Sequence, residues 1–333
     1  MATRTMVARA PRRGPHAVPA TMRAAAIDRF GGPEVITIHV LPVPEVGARD
    51  VLIAVHTAGV AGWDADMREG WSPTGRTRLP FVLGTDGSGT VVRVGSHVRR
   101  LKPGDRVYGS SFESGGFYAE YVAVMADSAA AVPEKLDLKR AGALPITGVM
   151  ALQGIDDVLR VRRGEAVVVH GAAGGVGSLA LQFAKLRGAR VLATATSEDG
   201  MAFVRRLGAD GAADGRREDL AEAARRFAPA GIDAILALAG GDPLERCLDA
   251  VRRGGRVAYP TGVEPIPKKR SGLRILAYDG VINVRTLTRL ARAAERAHLR
   301  INIPAAYALE EAARAHQRLA EGHILGKIVL RIR

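Results

Sequence analysis

The spacing of apolar residues divides this chain into a β-rich first part and a later part in which strands and helices alternate. Between residues 22 and 132, short valine-rich runs are separated by a glycine or proline every few positions, which predicts a small, tightly turned β-barrel. Residues 57–75 have no regular period, and we expect an irregular segment there. Residues 136–155 then take up helical spacing.

From residue 166 onward, uninterrupted apolar runs alternate with stretches of helical spacing. Such runs are typical of strands buried on both faces of a parallel sheet that is covered by helices. Ligands of these sheets bind beyond the carboxyl ends of the strands. The predicted strands are 36–40, 51–55, 166–169, 189–195, 234–239, 255–259 and 327–332, and the later predicted helices are 201–207, 220–227, 244–251, 287–296 and 309–319.

The clearest local signal lies at residues 165–188, where a buried strand, a glycine-rich turn and an amphipathic helix follow one another. Such a turn points unpaired backbone N–H groups and the positive end of the helix at one place, which suits a pyrophosphate. The dinucleotide-binding pattern G-x-G-x-x-G is matched except for Ala172 in the first position, and a purely structural turn is the alternative. The candidate phosphate-binding residues are Ala173, Gly174, Gly175, Val176 and Gly177.

With 333 residues and 47% apolar side chains, the chain is long enough for two globular domains. It has no apolar stretch suited to a membrane span or a secretory signal, and its single cysteine, Cys247, excludes an intrachain disulfide, so we expect a cytoplasmic protein. The net charge of +14 leaves nucleic-acid binding open. Residues 1–21 carry four arginines and no acid, which predicts a disordered basic arm or an artefact of a start upstream of Met22.

Seven short motifs follow one another along the chain: AGVAGWD (58–64), LGTDGSGTV (83–91), KPGDRVYG (102–109), GGFYAEYV (115–122), HGAAGGVG (170–177), LGAD (207–210) and GHILGKIVL (322–330). In this order they resemble the medium-chain dehydrogenase/reductase superfamily, and most of all its zinc-free quinone oxidoreductase branch. The resemblance covers residues 22–333. It implies an α/β fold in which a GroES-like β-barrel catalytic domain is joined to a Rossmann domain with a doubly wound parallel sheet, with the cofactor in the cleft between them.

The resemblance also divides the chain into domains. We expect the basic arm at residues 1–21, the first part of the GroES-like catalytic domain at 22–145, the Rossmann NADP-binding domain at 146–280, and a return to the catalytic domain at 281–333. Kinship further implies a homodimer.

The ligands of a catalytic zinc are missing where the zinc-containing relatives carry them. Ala61 stands at the position of a cysteine ligand, and Thr85 and Asp86 stand at the positions of a His-Glu pair. The four-cysteine structural lobe of those relatives is absent as well. Because catalytic zinc needs three protein ligands, we expect no metal ion.

Without a metal ion, the chemistry open to a nicotinamide cofactor is hydride transfer to an acceptor that delocalises charge, such as a quinone or an α,β-unsaturated carbonyl. The candidate catalytic residues are Trp63, as a wall of the pocket, and Asp64, as a proton-handling group or alternatively a structural brace of its loop. Ala61 and Met150 replace an Asn and a Thr that are common in the family. Their presence indicates either a more apolar substrate or weakened catalysis.

The choice of cofactor depends on the end of the second Rossmann strand, where NAD-binding proteins carry an acidic residue. Ala195 stands there, followed by Thr196 and Ser197, which favours NADPH, although both could simply cap the next helix. Family members often carry Lys at Gly200 and Tyr at Gly215, so an arginine would have to supply the missing charge. The candidates for this charge are Arg205, Arg216 and Arg217, and the other expected cofactor contacts are Gly240, Thr261 and, by its match to a pyrophosphate-contacting residue of relatives, Lys327.

The sequence therefore predicts an NADPH-dependent, zinc-free reductase of quinones or α,β-unsaturated carbonyls, with a small-molecule substrate and no membrane partner. Two alternatives stay open. The first is a nucleotide-binding protein with little turnover, and the second is an RNA- or DNA-associating, crystallin-like protein.

Overall fold

The computed structural model describes residues 18–72, 75, 77–112 and 115–333. The strands are β1 (Thr21–Ile27), β2 (Ile36–Pro42), β3 (Asp50–Val60), β4 (Phe81–Val82), β5 (Asp86–Val94), β6 (Arg106–Ser110), β7 (Tyr121–Met125), β8 (Ala129–Ala131), β9 (Ala166–His170), β10 (Arg190–Ala195), β11 (Gly211–Asp214), β12 (Ile232–Ala237), β13 (Val251–Pro260), β14 (Arg274–Tyr278), β15 (Ala306–Ala308) and β16 (Ile328–Arg331). The helices are α1 (Gly62–Arg68), α2 (Leu138–Gly142), α3 (Pro145–Gln153), α4 (Gly175–Leu186), α5 (Glu198–Arg206), α6 (Leu220–Phe227), α7 (Asp242–Leu248), α8 (Val284–Ala297) and α9 (Ala312–Ala320).

Six strands form one parallel sheet in the order β11-β10-β9-β12-β13-β14. This is the Rossmann order, in which the first strand of the unit lies in the middle and the chain leaves it toward both edges. Every residue of β9 is buried, as expected for the uninterrupted apolar run 166–169, and the burial extends to His170 at the end of the strand. Because β10 and β12 flank β9, the crevice for a ligand opens at the carboxyl end of β9.

Strands from both parts of the chain form a second sheet in the order β15-β16-β3-β5-β6-β8, with β7 also paired to β3. β16 runs antiparallel to β3 and brings Ile328 opposite Val60. β1 joins β2 and β4 in a smaller antiparallel sheet. This GroES-like barrel and the Rossmann sheet confirm the predicted α/β fold class.

Two tyrosines tie the sheets to the helices at the seam between them. The hydroxyl of Tyr108 in β6 donates to the carbonyl of Leu287 in α8 at 2.6 Å, and that of Tyr278 in β14 donates to the carbonyl of Met150 in α3 at 2.9 Å. The barrel sheets contain β1–β8, β15 and β16, and the Rossmann sheet contains β9–β14. The division of the chain into residues 22–145, 146–280 and 281–333 remains a prediction.

The prediction of an irregular segment at residues 57–75 is wrong, because β3 continues to Val60 and α1 follows it. The apolar pattern did not predict this helix because its buried face contains charged residues as well as an apolar one. Its buried side chains are Asp64, Met67 and Arg68.

The predicted basic arm lies mostly outside the described residues, which begin at residue 18. Its last residues do not belong to an arm. The carbonyl of Ala20 accepts a hydrogen bond from the N–H of Val43 at 3.0 Å, and Thr21 begins β1 opposite Pro42. The expectation that the arm extends to residue 21 is therefore wrong. Within the described part of the chain, no helix has the length and apolar character needed to cross a membrane.

Candidate active site

The glycine turn lies between β9 and α4 at the crevice of the Rossmann sheet. Gly171 has a φ of 81°, a backbone conformation that favours glycine. A Cβ at Gly177 would lie 2.3 Å from the Gly171 carbonyl oxygen, so only glycine lets α4 pack this close to the turn. Gly174 precedes the helix without a side-chain cap. The first N–H groups of α4 are therefore available to a ligand.

A cleft of about 790 Å³ runs from this turn to the barrel. A second cavity of about 560 Å³ adjoins it and shares Trp63 and Pro260 with it. Of the predicted site residues, Trp63, Ala173, Gly174, Gly175, Val176, Thr196, Ser197, Gly240 and Lys327 line the cleft, and Trp63, Gly174, Gly175, Val176, Gly177 and Thr261 line the second cavity. The structure thus brings all of the predicted catalytic and cofactor-binding residues except Asp64 onto these two surfaces. Of the three candidate arginines, Arg216 lines the cleft, whereas Arg205 and Arg217 line neither cavity.

Lys327 is a buried cation at the edge of the glycine turn. The N–H of Gly326 donates to the carbonyl of Ala173 at 2.9 Å, which fixes this segment against the turn. Lys327 Nζ lies 3.7 Å from Asp86 Oδ1, and neither atom has a hydrogen-bond partner within the described residues. An unsatisfied buried ammonium is costly, and an anion would satisfy it. Together with the free N–H groups of α4, Lys327 therefore fits a pyrophosphate.

Asp64 lies behind the cleft wall and is completely buried. Its Oδ1 accepts the N–H of Thr85 at 2.8 Å, and its Oδ2 accepts the N–H of Ala61 at 2.8 Å. Burial raises the pKa of Asp64 to about 6, against the opposing attraction of Lys327. These bonds hold the start of α1 against the loop before β5, which positions Trp63. These hydrogen bonds fit the alternative in which Asp64 braces its loop. The catalytic role of Asp64 remains a prediction.

A buried polar network extends from Asp64 to residues that sequence reasoning missed. Arg68 donates from Nη1 to Nδ1 of His316 at 2.9 Å, so Nε2 of the neutral ring carries the proton and donates to the Tyr118 hydroxyl at 3.2 Å. That hydroxyl donates to Asp64 Oδ2 at 3.4 Å. Burial lowers the pKa of His316 to about 3, which keeps it neutral. Only the fold could reveal this network, since its members lie far apart in the sequence.

His170 and Thr194 connect the turn to β10. The N–H of Gly171 donates to Thr194 Oγ1 at 3.0 Å, and that hydroxyl lies 2.9 Å from His170 Nδ1. Burial lowers the pKa of His170 to about 4, so the ring is neutral. Among the described residues, no group of three or more His, Cys, Asp or Glu is arranged to hold a metal ion.

The barrel side of the cleft is apolar and aromatic. Trp63 packs edge to face against Trp71, with ring centroids 4.7 Å apart, and against Phe112 at 6.4 Å. Ala61 and Met150 also line this part. The wall suits a flat, largely apolar molecule.

Ser197 caps α5 by accepting the N–H of Gly200 at 3.1 Å, as the alternative interpretation of this residue expects. It nevertheless lines the cleft, as does Thr196, whose Oγ1 lies 3.2 Å from His323 Nδ1. His323 is a further cleft residue that the sequence did not single out.

Proteins of known type match both parts of this architecture. Residues 47–134 match the alcohol dehydrogenase GroES-like domain, and residues 207–330 match the zinc-binding dehydrogenase family. The quinone oxidoreductase of Sus scrofa is 33% identical over 93% of this chain and 97% of its own length.

Two solved structures show the same fold. An NAD-dependent alcohol dehydrogenase is 33% identical with a TM-score of 0.87, covering 94% of this chain and 100% of that one. A mycobacterial protein complexed with NADPH is 27% identical with a TM-score of 0.82, covering 93% and 100%. The descriptions of these two structures refer to different dinucleotides, NAD in the first and NADPH in the second.

The chain therefore belongs to the quinone oxidoreductase-like branch of the medium-chain dehydrogenase/reductase superfamily. It is an oxidoreductase, and the resemblance inferred from its motifs is confirmed.

Proposed function

We propose that the protein is an NADPH-dependent reductase that transfers hydride to a quinone or an α,β-unsaturated carbonyl without a metal ion, in the cytoplasm. The observation that carries this proposal is the continuity of the site. Trp63 lines both the cleft that contains the glycine turn and the adjoining cavity that contains Thr261. A dinucleotide held at the turn would thus have its reactive end beside an apolar, aromatic wall.

The chain offers binding groups along the whole length of a dinucleotide. The N–H groups at the start of α4 and the ammonium of Lys327 would hold the pyrophosphate. Gly240 follows β12 and Thr261 follows β13, at the carboxyl ends of the sheet where the nicotinamide half would lie. When bound, the cofactor supplies the hydride.

The side chains around the apolar wall of the cleft favour a hydride acceptor that can delocalise the negative charge it receives. Ala61 offers no ligand atom, and Asp86 is engaged by the N–H of Ile146 at 3.0 Å and by Lys327. Asp64 lines neither cavity. Hydride addition to a quinone or enone places negative charge on its oxygen, which water at the open cleft would protonate.

The test is NADPH oxidation with a panel of quinones, enones and secondary alcohols, before and after treatment with a chelator. We expect turnover with a quinone or enone that the chelator leaves unchanged, and less than 0.1 zinc per chain is expected by elemental analysis, roughly the level of adventitious metal. Alcohol oxidation that the chelator abolishes would contradict the proposal.

A second candidate is a dinucleotide-binding protein with little turnover. The observation that favours it is the loss of polar groups at Ala61 and Met150, which both line the cleft. Tight binding of NADPH without oxidation by any member of the panel would identify it. The described residues give less support to nucleic-acid association than to dinucleotide binding. In the basic run 268–270, the charge of Arg270 is paired with Glu245 at 3.2 Å and Asp249 at 3.5 Å.

We also propose a homodimer formed at β14, the edge strand of the Rossmann sheet. Its Leu276 is exposed, as are Ile266 and Val281 nearby. An unpaired edge with apolar side chains is suited to pairing with a second copy. Light scattering should give twice the chain mass of 35.2 kDa, and Leu276→Glu should give monomers. A wild-type monomer would overturn this assembly.

A further inference from the structure

A cavity of about 520 Å³ lies away from the cleft, where the end of α4 and the turn Gly154–Val158 meet one side of α8. None of its lining residues lines the cleft or the cavity that contains Thr261, so the proposed function makes no use of it. We call it the arginine cavity. Its lining, among the described residues, includes five arginines and one acid: Arg187, Arg285, Arg289, Arg292, Arg296 and Asp156.

The helical repeat of α8 places four of these arginines on one face of the helix. Positions 285, 289, 292 and 296 are separated by four, three and four residues. Like charges at these spacings repel each other and weaken a helix. The helix dipole favours a cation at Arg296 in the last turn, but it disfavours one at Arg285 in the first turn. The stability of the helix therefore does not account for this row of charges, whereas an anion bound in the cavity would.

Two acids hold two of the arginines in place. Arg187 donates from Nε to Oδ1 of Asp156 at 2.7 Å and from Nη2 to Oδ2 at 2.5 Å. Arg289 donates to the same Oδ2 at 3.1 Å and to Asp157 at 2.9 Å. Within the described part of the chain, no hydrogen bond or ion pair involves the side chains of the other three, Arg285, Arg292 and Arg296. The cavity thus combines two fixed guanidinium groups with three uncompensated ones.

The donor groups of the cavity determine which kind of ligand fits it. Guanidinium groups match the geometry of phosphate oxygens and bind them through paired N–H groups. Three uncompensated cations require a ligand with several negative charges. The row from Arg285 to Arg296 spans about 16 Å of helix, so a single phosphate reaches only part of it. The volume lies within the range of small-molecule sites, roughly 300–1,000 Å³, and Leu186, Val284 and Ala293 add apolar surface.

We propose that the arginine cavity binds a compact molecule that carries two or more phosphate groups. Arg285, Arg292 and Arg296 are the charged donors, and Arg187 and Arg289 present further N–H groups from fixed positions. A cavity of this size favours such a molecule over an extended nucleic acid. The inference stands apart from the proposed function, because the two sites share no lining residue.

The test is calorimetric titration of the full chain with inorganic tripolyphosphate and orthophosphate at about 50 mM salt, where charge interactions are less screened than at physiological salt. The variants are Arg292→Gln and the double variant Arg285→Gln/Arg292→Gln, since glutamine keeps the helix propensity and removes the charge. We expect the affinity for tripolyphosphate to fall about tenfold in the single variant and about 50-fold in the double variant. The matched control is Arg217→Gln, whose side chain is 87% exposed and lines neither site, and it should bind as the wild type does.

Thermal unfolding of the same variants separates binding from a structural role. Without ligand, both variants should unfold at the wild-type temperature or slightly above it, because removing a charge relieves the repulsion within the row. Saturating tripolyphosphate should then raise the unfolding temperature of the wild type more than that of either variant. Lower unfolding temperatures of the ligand-free variants would make these arginines structural and would overturn the proposal.

The number of phosphate groups is tested by the comparison of the two anions. Orthophosphate should bind the wild type at least about tenfold more weakly than tripolyphosphate, since it contacts fewer of the arginines. Equal affinities would show that one phosphate is enough and would contradict the proposed ligand class. No binding of tripolyphosphate by the wild type below about 1 mM would overturn the site altogether.

The cleft also fits phosphate groups, so Lys327→Met is titrated with tripolyphosphate in parallel. This variant should retain binding, because Lys327 lies outside the arginine cavity. Loss of binding in Lys327→Met but not in Arg292→Gln would place the anion in the cleft and overturn the proposal. Tighter binding of a single-stranded RNA of about 20 nucleotides than of tripolyphosphate, lost in the same arginine variants, would make this face a nucleic-acid surface instead.

Discussion

Asp64 and Asp86 are both completely buried at the seam between the barrel and the Rossmann sheet, but their surroundings differ. Asp64 accepts hydrogen bonds from two backbone N–H groups and one tyrosine hydroxyl. Asp86 accepts one backbone N–H on Oδ2, and its Oδ1 faces Lys327 Nζ at 3.7 Å without a hydrogen bond. Burial raises the pKa of both carboxyls.

The difference separates a structural carboxylate from one that belongs to a binding site. A carboxylate whose oxygens are already used can hold a loop but has little capacity left for a ligand. The Asp86–Lys327 pair keeps unused hydrogen-bonding capacity beside the glycine turn, where an anion can complete it. Burial alone would not distinguish them, so the hydrogen-bond inventory of each group decides its role.

The largest effect should come from removing the structural carboxylate. Asp64→Ala leaves the N–H groups of Ala61 and Thr85 unpaired in the interior, and we expect the free energy of unfolding to fall by about 4 kcal/mol. Urea denaturation at pH 7 measures this. The control is Asp66→Ala, two positions along the same helix and exposed, which should change stability by less than about 0.5 kcal/mol. A stable Asp64→Ala variant with lost turnover would instead make Asp64 catalytic.

The pH dependence of stability gives a second measure of the same group. Because burial raises the pKa of Asp64 from 3.8 to about 6, the folded protein retains a proton that the unfolded chain releases in this range. The contribution of Asp64 to stability therefore falls as pH rises from about 4 to 6, by about 3 kcal/mol. Asp86 acts with the same sign, since its pKa is also raised. The Asp64→Asn variant should show a correspondingly smaller fall, and parallel curves for the two proteins would contradict this.

The sequence predicted the glycine turn because all of its determinants are local. The strand, the turn residues and the helix lie within residues 165–188, and each has a recognisable pattern. Their backbone geometry then follows from nearest-neighbour packing. The same reasoning predicted α6, whose bounds Leu220–Phe227 match the expected range.

Other parts could not be predicted because their determinants are distant or weak. The partners of Asp64 include Thr85 and Tyr118, and its network continues to His316. The strands β11 and β14 lie at the sheet edges, where partial exposure breaks the apolar run. The contact between Arg216 Nη2 and His323 Nε2, which lie 2.9 Å apart, likewise arises from tertiary folding.

The Asp86–Lys327 pair, whose facing atoms form no hydrogen bond, should matter more for ligand binding than for folding. Lys327→Met keeps the aliphatic stem but removes the charge, and we expect the affinity for NADPH to fall by about 2 kcal/mol, roughly 30-fold. The free energy of unfolding should change by less than about 1 kcal/mol, because Asp86 can take up a proton once its partner is gone. Calorimetry and urea denaturation measure the two quantities. A large loss of stability with unchanged NADPH affinity would make Lys327 a structural residue like Asp64.

The smallest effect should appear at the wall that Asp64 positions. Trp63→Leu keeps an apolar surface but removes the flat indole, so the KM for a quinone should rise about tenfold while the Kd for NADPH changes less than about threefold. The control is Phe30→Leu, an exposed aromatic that lines neither cavity, which should leave both values unchanged. If Asp64 acts by holding this wall, Asp64→Asn should shift the quinone KM in the same direction as Trp63→Leu. A fall in kcat at unchanged KM would place Asp64 in the chemical step instead.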